Sequence, residues 1–218
     1  MNLAIFDLDN TLLADDSDFL WGQFLVKKNL VDGEYYALKN HFFYDEYKKG
    51  KLNINEFLQF SLKPLAELGF TQLQSLHKEF MHTEIIPIIT DQAKQKVKQH
   101  KEQGDYLLII SATNLFVTEP IAKYLGMDDI IATTPEKING EYTGKVAGIP
   151  SFQEGKIIRL QQWLEAHPEL SLIDSYFYSD SINDLPLLEQ VTYPIVVDPD
   201  DKLKQQAESR NWEIISLR

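Results

Sequence analysis

From Thr90 onward, short apolar runs alternate with helical stretches, and this alternation restricts the chain to a mostly parallel sheet with helices on both faces. The expected strands are Tyr106-Leu107-Leu108-Ile109-Ile110, Ile130-Ile131-Ala132, Ser175-Tyr176-Phe177-Tyr178, Ile195-Val196-Val197 and Trp212-Glu213-Ile214-Ile215. Helices are expected over about 91 to 103, closed by Gly104, and about 115 to 125, closed by Gly126. Others run from Lys156 to about His167, from Asp184 to Glu189, and from Asp198-Pro199 with the proline in the first turn. Ile138-Asn139-Gly140-Glu141-Tyr142 carries the Asn-Gly signal of a tight hairpin. One more apolar run, Leu3-Ala4-Ile5-Phe6, belongs to the same sheet. Residues 15 to about 85 contain no strand-like run, only amphipathic helical segments. Their starts are marked by Asp32-Gly33 and by the capping-box patterns Asn53-Ile54-Asn55-Glu56 and Thr71-Gln72-Leu73-Gln74. The expected fold is therefore α/β, a Rossmann-like parallel sheet of residues 1–14 and 88–218, with an all-helical module of residues 15–87 inserted after the first strand.

Charge narrows the partners. With a net charge of -12 and a pI near 4.8, the chain lacks the clustered Lys and Arg that nucleic acid or an anionic membrane requires. The absence of cysteine excludes disulfides and thiolate metal sites. No stretch has the pattern of a signal peptide or a membrane span, so a soluble, cytoplasmic monomer or homodimer is expected.

Asp7-Leu8-Asp9-Asn10-Thr11 follows the first strand directly and places two carboxylates where ligands of open α/β sheets bind. Such a pair is costly unless a cation or phosphoryl group lies between them. Three further clusters fall at strand ends or helix starts. Ser111-Ala112-Thr113 offers a hydroxyl and backbone amides, Lys156 an ammonium, and Asp180-Ser181-Ile182-Asn183-Asp184 more carboxylates. Taken singly, several of these have structural explanations: Asp184 as a helix N-cap, Lys156 as an exposed helix lysine, Ser111 as a cap, Thr11 and Asp9 as turn residues. None of the five histidines has metal-ligand spacing to another.

Together, and in this order, the residues resemble the haloacid dehalogenase superfamily of phosphotransferases, across the whole chain. Asp7-x-Asp9-x-Thr11 resembles its first motif, Ser111 its second, Lys156 its third and Asp180-x-x-x-Asp184 its fourth, and the helical insertion resembles its C1 cap. Asp180 to Asp184 is similar to the phosphoserine phosphatase branch, although Ser179 stands where that branch commonly has Gly. The resemblance implies Asp7 as nucleophile, Asp9 as acid and base, and Mg²⁺ at Asp7, the Asp9 carbonyl, Asp180 and Asp184. It also implies that Leu8, Thr11, Ser111, Ala112, Lys156 and Asn183 surround the phosphoryl group of a small phosphomonoester. A mutase or other phosphotransferase of this fold stays open. A receiver domain shares an acidic pair, a hydroxyl and a Lys, but lacks such a cap.

The substrate reading rests on charge. The first arginine of the chain is Arg159, so the insertion has no guanidinium to clamp a substrate carboxylate, as that branch's phosphoserine enzymes do. Asp15, Asp16 and Asp18 at the start of the insertion, and Glu46 further along it, favour a cationic substrate, with Asp16, Asp18 and Glu46 as candidate contacts. Histidinol phosphate fits best; phosphoserine is the alternative, through Lys48 or Lys49. The insertion's many aromatics are expected to be mostly core, with a few lining the cavity.

Overall fold

The computed structural model describes residues 1 to 218. Strand β1 (Leu3–Phe6) lies inside a six-stranded sheet and is buried along its length. Strand alternation sends Ala4 and Phe6 to one apolar cluster and Leu3 and Ile5 to another, so both faces are covered. With β2 (Tyr106–Asn114), β3 (Asp129–Thr133), β6 (Tyr176–Ser179), β7 (Tyr193–Val197) and β8 (Glu213–Ile215), the order is β3-β2-β1-β6-β7-β8. Every neighbouring pair is parallel. The remaining strands, β4 (Pro135–Ile138) and β5 (Glu141–Val146), form the expected separate hairpin.

Helices cover each face. α6 (Asp91–Gln103) and α7 (Leu115–Leu125) pack Ala93, Val97, Val117 and Ile121 on the Phe6 side. α8 (Glu154–Ala166), α9 (Leu185–Leu188) and α10 (Asp201–Arg210) bring Leu160, Leu188 and Leu203 to the other. This is the Rossmann-like α/β arrangement expected. Gly104 and Gly126 close α6 and α7 in the left-handed region, at φ 76° and 73°.

Between β1 and β2 lie α1 (Ser17–Lys27), α2 (Gly33–Lys48), α3 (Ile54–Ser61), α4 (Lys63–Glu67) and α5 (Phe70–Phe80). These helices do not enclose a core of their own. Trp21, Phe24, Leu58, Leu73 and Phe80 belong to the same apolar cluster as Phe6 and Val117, and Trp21 meets Phe116 edge-on at 5.4 Å. The segment leaves and rejoins the sheet at neighbouring points: Leu13 bridges Ile89, and Ala14 N–H donates to Ile88 O at 2.9 Å.

The structure departs from the sequence reading in four places. β2 continues past Ile110 to Asn114, because polar Ser111, Thr113 and Asn114 keep strand geometry while facing a site. Thr71 lies inside α5, which starts after Gly69 without a side-chain cap. Pro199 precedes α10, whose N-cap is Asp200, accepting from Lys202 N–H and Leu203 N–H. The stretch Asp184 to Glu189 is a short turn at 182–184 followed by α9, and Asp184 makes no cap bond.

α8 begins in an extreme turn. A Cβ on Gly155 would sit 2.1 Å from the Pro150 carbonyl oxygen, so no side chain fits without moving backbone. Gly155→Ala is expected to cost about 1–3 kcal/mol of stability, the usual penalty for overpacking, and to lower kcat/KM about tenfold by displacing the adjacent Lys156. Thermal melts and steady-state kinetics check this; an unchanged Tm would show that the turn yields freely.

Candidate active site

The register places the ends of three strands together. Phe6 pairs with Ile109 on one side and Tyr178 on the other, so Asp7, Ser111 and Asp180 emerge at one edge of the sheet. Asp7 is tied there by its N–H to Tyr178 O at 2.9 Å. Beyond it the chain makes a tight turn over Leu8–Leu12, with Asn10 at φ 56°.

Asp7, Lys156 and Asp184 form a buried ionic triad. Lys156 Nζ donates to Asp7 Oδ1 at 2.7 Å and to Asp184 Oδ2 at 2.9 Å, and Lys156 is only 2% exposed. It is therefore not the exposed helix lysine that its type alone suggests. Asp184 also accepts from Ser179 Oγ at 2.7 Å. Its carboxylate is turned onto Lys156 rather than capping α9. Burial, only partly offset by the Lys156 ammonium and reinforced by Asp184, pushes the Asp7 carboxyl up to about 7. Burial opposes the charge on Lys156, yet Asp184 and Asp7 outweigh it and hold the ammonium above its usual range.

Asp9 is held by donors. Ser17 N–H reaches its Oδ1 at 2.6 Å, Thr113 Oγ1 its Oδ2 at 2.9 Å, and Ser111 Oγ the same oxygen at 3.4 Å. Burial raises its carboxyl even so. Asp180 lies beside Thr11, whose hydroxyl donates to Asp180 Oδ1 and accepts from Asp180 N–H, both at 3.1 Å. Thr11 thus positions Asp180 instead of facing the cavity. Burial, then Asp7 and Asp184, hold the Asp180 carboxyl well above its usual range, and no ammonium or guanidinium pairs with it.

A cavity opens from Asp7 and Asp9 toward the insertion. It is lined by Ser111, Ala112 and Thr113, by the rings of Phe19, Phe43, Tyr44, Tyr47 and Phe57, and by Asp16 and Asp18, which flank the Ser17 amide that binds Asp9. No lysine or arginine lines it. Asp16 accepts from Phe19 N–H at 2.8 Å as the N-cap of α1, and Asp18 accepts from Asn114 Nδ2 at 3.2 Å. Burial, followed by Asp9 and Asp18, holds Asp16 well above its usual range, and burial with Asp9 pushes Asp18 up to about 7.

Other expected residues stand differently. Glu46 is outside the cavity, paired with Lys49 at 3.0 Å on the outer face of α2. Lys48 is engaged with Asp45 and the Tyr44 ring, so neither cap lysine reaches inward. Asn183 bridges elements: its Nδ2 donates to Tyr47 O at 3.3 Å and Ser181 Oγ at 3.1 Å, while its Oδ1 accepts from Gln153. Leu8 is fully buried and can offer only its main chain. Ser17, Asn40 and Gln153 were not singled out from the sequence, Ser179 was noted only as standing in place of a Gly, and Tyr47 only as one of the insertion's aromatics. Ser and Asn at such positions carry no motif signal, and Tyr47 is hidden among many aromatics.

Residues 4–189 match the haloacid dehalogenase-like hydrolase family, and the chain belongs to it. It is a phosphatase. The chain is 45% identical to a histidinol-phosphatase of Neisseria meningitidis, over all of this chain and 99% of that one. A solved structure of a Bordetella pertussis protein of unknown function superimposes with a TM-score of 0.93 at 41% identity, covering 100% of this chain and 99% of that chain. A phosphoserine phosphatase solved as a phospho-aspartyl intermediate analogue shares the fold, with a TM-score of 0.73 at 20% identity, over 100% of this chain and 93% of that one. No helix is long and apolar enough to cross a membrane.

Proposed function

We propose that the chain hydrolyses a small amino-bearing phosphomonoester, with histidinol phosphate the best fit, and that residues 15–87 act as its cap. The observation that carries this is the cavity: Asp7 and Asp9 are joined in its wall by half-buried Asp16 and buried Asp18, which flank the Ser17 amide bound to Asp9, the rest is largely aromatic, and no cation lines it. Asp16 and Asp18 add to the repulsion around Asp9, and an ammonium entering beside them relieves it. A substrate carboxylate meets only repulsion there. The name borne by the Neisseria relative supports the same substrate.

The chemistry follows from the floor. Asp7 attacks phosphorus in line, forming an aspartyl-phosphate as the ester oxygen leaves. Asp9, whose carboxyl burial biases toward the protonated form, gives its proton to that oxygen and then takes one from the hydrolytic water. Lys156 compensates the charge on Asp7 and the phosphoryl oxygens, with Asp184 and Ser179 fixing its position. Ser111 Oγ and the amides near Ala112 lie ready to receive those oxygens.

The donor set fits Mg²⁺. It is all oxygen, and half-buried Asp180 lies beside Asp7 and Asp184 with no cation paired to it. No three acidic side chains converge as a ready-made cage, which suits an ion that retains waters and takes one or two carboxylates plus phosphate. Asp7, the Asp9 carbonyl and Asp180 would hold it, Asp184 being committed to Lys156. Bound there, Mg²⁺ supplies charge neutralisation to the phosphoryl group.

The expected result of a competition assay at fixed Mg²⁺ is a kcat/KM at least about tenfold higher for histidinol phosphate than for phosphoserine, or about 1.4 kcal/mol. Added salt should narrow the gap. Equal or better turnover of phosphoserine would overturn the cationic-substrate reading.

A further inference from the structure

We propose that the Tyr47 hydroxyl, presented from the C-terminal end of α2, donates a hydrogen bond to a non-bridging oxygen of the transferring phosphoryl group. Tyr47 is an insertion residue whose side chain lines the catalytic cavity together with Asp7 and Asp9, and its carbonyl is bound by Asn183 of the acidic loop after β6. Asp7, Asp180 and Asp184 are the charges that act on it, in that order.

The chain fixes Tyr47 from several directions. Its carbonyl accepts from Gly50 N–H at 2.9 Å and from Asn183 Nδ2 at 3.3 Å. Two residues on, the Lys49 carbonyl accepts from Lys202 Nζ at 2.9 Å. Its ring lies 6.3 Å from that of Phe152, in the turn leading to Lys156. Gly50, at φ 71°, lets α2 end sharply at this contact. A helix held to the core by polar bonds at the residue that enters the site is arranged to aim a side chain, not to fill a core.

The chemistry of the surroundings selects the role. Burial and the neighbouring carboxylates hold the phenol well above its usual range, so it stays protonated and acts as a donor. The floor is crowded with acceptors, and Lys156 is already shared between two carboxylates. A phosphoryl group needs several donors, and Tyr47 supplies one from the insertion, in addition to Ser111 and Lys156 from the sheet domain.

This rests on the phosphoryl group being held at Asp7, and the test separates the two. Tyr47→Phe retains the ring and its packing. With p-nitrophenyl phosphate and with histidinol phosphate alike, kcat/KM should fall about tenfold to a hundredfold, inhibition by orthovanadate should weaken by a similar factor, and Tm should not move. Activity and vanadate inhibition within twofold of the unsubstituted enzyme would overturn the proposal. So would a loss confined to histidinol phosphate, which would place Tyr47 on the substrate tail. Persistent activity in Asp7→Asn would instead remove the phosphoryl placement itself.

Discussion

Replacing Asp7 by Asn is expected to abolish phosphatase activity, by on the order of 10⁴-fold or more, the scale of losing a nucleophile. The amide keeps the shape and can still accept from Lys156 Nζ, now 2.7 Å from Oδ1, but it cannot attack phosphorus. Stability should move the other way in metal-free buffer. Burial raises the Asp7 carboxyl from 3.8 to about 7, so between those values the folded chain keeps a proton that the unfolded chain has released. Stability of the native enzyme is therefore eroded as pH rises through that window, and the Asn variant, which does not titrate, escapes the loss. Melts near pH 4.5 and pH 8 in EDTA should show the variant gaining on the native enzyme at the higher pH. Turnover above background in the variant would refute the nucleophile assignment.

Lys156→Met is expected to be nearly as severe. The thioether keeps much of the stem volume but leaves Asp7 and Asp184, both nine-tenths or more buried, without their shared cation. Removing one partner of a buried pair costs about 3–5 kcal/mol, and the carboxyls take up protons instead. A protonated Asp7 is a poor nucleophile, so kcat/KM should fall about 10²- to 10³-fold or more, and the residual activity should rise toward alkaline pH as Asp7 ionises. A pH–rate profile unchanged in shape, with activity within tenfold of native, would show that Lys156 neither charges nor orders the site.

The sheet and the acidic edge at its strand ends were legible because each strand is an apolar run and the acidic residues sit directly at its end. Asp7 and Asp180 have no comfortable structural use, and the neighbouring positions of β1 and β6 in the sheet bring them to one edge. The reading weakened where polar residues continue an element: Ser111 to Asn114 extend β2 although nothing apolar marks them. It weakened again on α2, because a helix face cannot be assigned without knowing its neighbours. Glu46 and Tyr47 are adjacent in sequence, yet one pairs with Lys49 outside and the other lines the cavity. Charge drew attention to the first; only packing distinguishes the second. Asp184 was expected near the other carboxylates, but its bond to Lys156 depends on a rotamer and on Ser179, which no spacing rule encodes.

The bridge between Leu13 and Ile89, which brings the two ends of the helical insertion together, bears on how such an enzyme changes its diet. Closing a loop costs only about 0.6 kcal/mol more for each doubling of its length, so a necked insertion can be lengthened, shortened or exchanged while β1 and β2 still pair. With residues 15–87 acting as the proposed cap, evolution can redraw the substrate pocket as a cassette while the proposed nucleophile Asp7 stays on the end of β1. The cassette is not entirely free, however. Trp21 and Phe80 pack on Phe116, Val117 and the sheet, so any replacement must carry an apolar sole that fits this footprint. Grafted substrate pockets that keep Trp21, Phe24 and Phe80 should find a home on this scaffold, and those that discard them should leave an exposed apolar patch.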